Sequence, residues 1–153
     1  MSIAFRPEEL REAKRSFRGV IVDYDYGETP FGFTGRPDIL RRPQLCVKIE
    51  SEQYEKPQYE WYVPTDKKKT KWAYFIEALA KTGALREILP IKGATDEERI
   101  RDFGSKLVGM EFDWEEIEVE LLGGKKTWLL LPVKYYGKVG EVGKREIASE
   151  EIK

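Results

Sequence analysis

The chain has 153 residues, 41% hydrophobic and 36% charged, with 27 Lys and Arg set against 28 Asp and Glu. That length suits one domain with a real core. The net charge of −1 gives no global attraction to nucleic acid or membrane, so any such role must rest on a local basic surface. There is no His, which excludes Ser-His-Asp and Cys-His nucleophiles and an imidazole base.

Cys46 is the only cysteine, so an internal disulfide is impossible and a reducing compartment is expected. One Cys without His also argues against zinc and non-haem iron, and no cofactor is expected. The first residues, MSIAFRPEELREAKR, lack the apolar stretch of a signal peptide, and no apolar run is long enough to span a bilayer. The expectation is a cytoplasmic protein with no membrane partner. The absence of Asn and the abundance of Glu and Lys fit a thermophilic composition.

In chain order, Pro7 to Ser16 reads as a short N-terminal helical arm, with Pro7 at the first helical position and Lys14 and Arg15 in the last turn. Residues 17–26, FRGVIVDYDY, alternate from Val20 onward and predict a first strand. Residues 28–43, ETPFGFTGRPDILRRP, have no period and form a long loop of the kind that is usually functional. Residues 44–52 predict a second strand with Leu45, Val47 and Ile49 inward. Residues 58–63 predict a third, on which Tyr59, Trp61 and Val63 share one face and Tyr62 takes the other.

Asp66 to Leu85 carries the clearest helical period, with Trp72, Phe75, Ile76 and Leu79 on one apolar stripe. Gly83 is its stop signal. Lys67, Lys68, Lys69 and Lys71 crowd its beginning, where the helix dipole disfavours cations by about 0.3–1 kcal/mol each. Thr95 and Glu98 match a capping box for a second helix containing Ile100 and Phe103. Residues 108–122 alternate on one parity through Trp114 and on the other from Ile117, which predicts a bulge or bend at Glu115-Glu116. Gly123-Gly124 makes a hairpin turn into a last strand over residues 125–136. Residues 137–153 have no period and read as a flexible tail, which leaves residues 1–136 as one domain.

Three strands, a helix and two strands predict an α+β, mainly β fold: an antiparallel five-stranded OB-like barrel with its helix between strands three and four. In that layout the apolar stripe closes one end of the barrel. A ligand crosses strands two and three, between the loop joining strands one and two and the loop joining four and five. The segments RGVIVDYDYG, KTKWAYFIEALAKTGA and LVGMEFDWEEIEVELLGG, in this order, resemble phage and prokaryotic single-stranded DNA-binding proteins of OB type. The likeness is one of pattern over residues 17–136. It implies a non-enzymatic protein that binds single-stranded DNA, or less readily RNA, largely without regard to sequence. The tail has as many basic as acidic residues and so departs from the acidic tip usual in such proteins.

Single strands are held by aromatic platforms for bases and cations for phosphates. The candidates are Phe31, Phe33, Arg36, Arg41 and Arg42 in the first loop, and Tyr54 in the turn before strand three. Tyr59, Trp61 and Tyr62 lie on strand three, Lys67, Lys68, Lys69 and Lys71 after it, and Lys125 and Lys126 after the last turn. Each has an ordinary alternative, because strands favour aromatics and charged loops are commonly just solvated. On strand three, either Tyr62 or the pair Tyr59 and Trp61 faces outward. Residues 36–48 and 66–71 each sum to +3 whereas residues 96–120 sum to −7, so the small net charge hides a basic and an acidic side.

Two other classes compete. In a protein-interaction module, the Phe31/Phe33 loop and strand three would form an apolar patch and a pairing edge for a protein partner. In a metal-dependent nuclease, Asp38, Asp66 and Lys67-Lys68 would hold magnesium and support the nucleophile.

Overall fold

Central to the sheet is β1 (Ser16–Gly27), which pairs antiparallel with both β2 (Gln44–Glu50) and β4 (Met110–Glu120). The chain is described from a computed structural model over residues 15–32 and 42–139. β3 (Gln58–Tyr62) adds to β2 and β5 (Lys126–Lys138) to β4, giving one antiparallel five-stranded sheet in the order β3-β2-β1-β4-β5. Three helices follow β3: α1 (Lys71–Thr82), α2 (Leu85–Ile88) and α3 (Asp96–Leu107). The fold is α+β, and the hydrogen-bonded order leaves β3 and β5 as edges, so the sheet is open.

The expected helix over residues 7–16 lies outside the described residues apart from Arg15 and Ser16, and Ser16 already belongs to β1. β5 reaches Lys138, so Gly137 and Lys138 belong to a strand and not to the tail; the rest of the expected tail, from residue 140, also lies outside the described residues.

The core is built from inward-facing residues of each strand. Leu45, Val47 and Ile49 are fully buried together with Ile21, Phe112, Trp114 and Leu129. On α1, Phe75 and Leu79 are fully buried while Trp72 and Ile76 are half-buried against the same cluster. The apolar stripe is therefore structural. Thr70 caps α1, its side chain accepting from Ala73 N, and Gly83 ends it with φ 89°. Thr95 and Glu98 form the expected capping box at the start of α3.

Two close approaches fix how the layers meet. Gly19 lets Trp114 Nε1 donate to its carbonyl at 3.1 Å, and a Cβ there would lie 2.8 Å from Ile49 Cγ2. A Cβ at Gly104 would lie 2.5 Å from Tyr24 Cδ2, so α3 rests directly on the tyrosine ring of β1.

The bulge expected at Glu115-Glu116 is placed differently. Pairing runs without a shift from Trp114 to Glu120, and the register shifts fall at Glu111/Phe112 and Asp113/Trp114. There β5 carries the extra residues, Tyr136 and Val133, and both are exposed. The change of parity in β4 comes instead from cover on its second face, where Ile117 and Leu131 line a groove with Tyr74 and Ala78 of α1.

Candidate nucleic-acid interface

Strand register decides the two faces of β3. Leu45 pairs with Tyr62, and Cys46 pairs with Trp61 as Lys48 does with Tyr59. Directly opposed residues share a face, so Tyr62 belongs with core residue Leu45 while Tyr59 and Trp61 lie on the opposite face. Tyr62 is 1% exposed and stacks on Phe75 with ring centroids 4.2 Å apart. It is a core residue and no platform for a base in this fold. Its buried hydroxyl has no hydrogen-bond partner among the described residues.

Tyr59 and Trp61 form a half-buried pair with ring centroids 6.1 Å apart. Phe31 joins them, 5.6 Å from Tyr59. It sits in the turn Pro30–Gly32 with φ 55°, and its backbone N–H donates to Asp25 Oδ2 at 2.6 Å. Asp25 pairs with Cys46, which pairs with Trp61, so one row of the sheet carries both the anchor of the turn and Trp61. Cys46 beneath is fully buried, and burial first, then the nearby Glu60 and Asp25 carboxylates, push its thiol well above the ordinary value. Phe33, Arg36 and Arg41 lie outside the described residues; Arg42, just before β2, is exposed.

Tyr54 does not join this group. It occupies the β2–β3 turn, at the other end of these strands, and packs edge-on against Phe17 at 5.0 Å.

The lysine run divides into two parts because Thr70, not Asp66, begins the helix. Lys67, Lys68 and Lys69 precede the cap and are exposed, so only Lys71 stands in the first turn. Lys71 is committed elsewhere: its Nζ lies 2.6 Å from Glu60 Oε1, and Glu60 is 9% exposed. This pair fastens α1 to β3, which makes Lys71 structural.

The other lysines are drawn together by the β4–β5 turn. Leu122 N donates to Lys69 O at 3.0 Å, and Tyr74 Oη donates to Glu120 O at 2.6 Å. Leu121 N donates to Lys125 O at 2.7 Å, closing the turn that carries Lys125 and Lys126. The exposed lysines 67, 68 and 69 thus stand in a loop that adjoins the turn carrying exposed Lys125, with exposed Lys126 opening β5 directly after it. Asp66 and Glu120 offset part of this charge, and Glu120 lies 3.8 Å from Lys69 Nζ, a surface pair of small energetic weight.

Sequence reasoning missed Arg15 and Gln58. The Arg15 guanidinium bonds Gln58 on β3 and both carboxylate oxygens of Glu116 on β4, tying together strands that are not neighbours in the sheet. Nothing in the local pattern marks a contact between residues so far apart in sequence.

Among the described residues, no group of three or more His, Cys, Asp or Glu is placed to hold a metal ion, and Asp38 lies outside them. No helix among them is long and apolar enough to cross a membrane. Comparison with known proteins gives no match to a family model, a curated protein or a solved structure.

Proposed function

We propose that this chain binds single-stranded nucleic acid, DNA in preference to RNA and largely without regard to sequence, through aromatic stacking and lysine–phosphate contacts. The observation that carries this reading is the 3.0 Å bond between Leu122 N and Lys69 O. It gathers lysines from two loops distant in sequence at the end of β3, the strand that carries Tyr59 and Trp61. Aromatic platforms beside a basic patch are what a single strand requires. Phe31 and Arg42 lie beside strands two and three, and the β4–β5 turn meets the loop that follows strand three. The OB layout uses loops around these strands for its ligand, which supports the reading. In this reading the sheet is an OB-type barrel left open between β3 and β5.

The test is fluorescence anisotropy with labelled oligo(dT), oligo(U) and duplex DNA across a salt series. The expected result is tighter binding to the single strands, weakening steeply as salt rises. Absence of binding to any single strand at low salt overturns the proposal. A protein-interaction module is the rival reading, supported by the place of β3 at the edge of the sheet among the described residues. It predicts a partner retained at high salt after nuclease treatment.

A further inference from the structure

On the helix side of β3, the segment leading into the lysine loop borders a cleft of about 720 Å³. Its walls include Trp72 and Ile76 of α1, Leu89 beyond α2, and Ile100 and Phe103 of α3. The volume lies within the range of about 300–1,000 Å³ usual for small-ligand sites. Leu89 is 52% exposed, so the apolar lining of the cleft reaches solvent at this edge. Trp72 is braced by Phe103 at 5.2 Å, by Phe75 at 6.4 Å and by Tyr62 at 6.4 Å. Such a side chain offers a preformed aromatic wall that costs little ordering when a ligand arrives.

Polar groups at the cleft are sorted by charge. Asp66, Asp96 and Arg99 all line it. Two carboxylates against one guanidinium repel a phosphate but leave acceptors for the amino and imino groups of a base. Asp66 is followed directly by Lys67, whose N–H bonds Thr65 Oγ1 at 3.2 Å, and Thr65 also lines the cleft. The cation-rich loop therefore begins where the cleft ends.

We infer that this cleft takes an unstacked nucleobase of the bound strand, with the adjoining phosphates held outside it by Lys67, Lys68 and Lys69. The inference rests on the proposed nucleic-acid role and adds a second base site on the opposite side of β3 from Tyr59 and Trp61. Burying a base against apolar walls compensates for its lost stacking, while the acid rim keeps the backbone at the lysines. The cleft thus orients the nucleotide as well as binding it.

The test uses methyl- and amide-resolved NMR of the full chain titrated with oligo(dT). The expected result is saturable shifts of the Ile76, Leu89 and Ile100 methyls together with the Lys67–Lys69 amides. Leu89→Glu places a charge at an already exposed position. It is expected to weaken oligo(dT) binding about fivefold or more while leaving the salt slope unchanged, because every lysine–phosphate pair stays in place. If the lysine amides respond and the cleft methyls do not, the cleft is no base site but the lysine reading stands. If neither responds, both fail. If the cleft methyls respond only to a basic amphipathic peptide and not to oligo(dT), the cleft is a peptide groove and the inference is overturned.

Discussion

Leu122 and Lys69 are joined backbone to backbone at 3.0 Å, which ties the β4–β5 turn and the loop before α1 into one unit. Lys68 and Lys125 belong to the two sides of this unit, and both are exposed. Charge reversal at either, Lys68→Glu or Lys125→Glu, should weaken oligo(dT) binding with little change in thermal stability. Each phosphate left without its lysine should lower the salt slope by about 0.7 for a single strand. Anisotropy across a salt series measures this. An unchanged slope in the double variant would mean that the lysines are ordinary surface charge.

The two faces of β3 predict opposite outcomes for neighbouring residues. With Trp61 stacking on a base as proposed, Trp61→Ala should cost about 1–3 kcal/mol of binding per base stacked. Tyr62→Phe removes only a buried hydroxyl without a described partner. An unsatisfied buried donor is a liability, so this variant should bind normally and be as stable as the parent, or more so by up to about 1 kcal/mol. Urea unfolding separates the cases, and a clear loss of stability in Tyr62→Phe would show that the hydroxyl has a partner after all.

Much of this fold is legible in the sequence. Period-two alternation at Leu45, Val47 and Ile49, and period 3.6 from Trp72 to Leu79, follow from burying one face of a strand or helix. The capping box at Thr95 and Glu98 is local chemistry. What the sequence hides is either non-local or ambiguous by parity. Alternation alone cannot say which face of β3 is inside; only pairing of Tyr62 with Leu45 across the sheet decides it. The lysine anomaly dissolves because Thr70, an ordinary N-cap residue, starts the helix after Lys69, and because Glu60, the partner of Lys71, lies on another element. The tie between Lys69 and Leu122 uses backbone atoms, which no side-chain pattern records.

Gly104 is held by contact and not by backbone conformation. Its missing Cβ leaves space for the Tyr24 ring, which a methyl group would approach to 2.5 Å. Gly104→Ala should gain helix propensity yet lose more through overpacking, for a net destabilisation of about 1–3 kcal/mol. Tyr24→Leu in the same background should recover part of the loss. A stabilised Gly104→Ala protein in urea unfolding would mean that α3 can move off the sheet at no cost.

Acid should loosen α3 through Asp102. Its carboxylate accepts from Lys106 Nζ at 2.9 Å and from Lys92 N at 2.9 Å. The Lys106 bond first, then the backbone bond, hold it below the usual carboxylate range. A carboxylate with a lowered folded-state pKa binds its proton more readily in the unfolded chain. The stability it contributes is therefore present above the unfolded value and lost as pH falls through the folded one. As pH falls below the unfolded carboxylate value of about 4, wild type should lose stability more steeply than Asp102→Asn, which lacks this titration. Above about pH 5 Asp102→Asn should be the less stable of the two, and the gap should narrow as acid protonates Asp102. Urea midpoints over that range measure the difference, and parallel curves would show that Asp102 contributes nothing to folding.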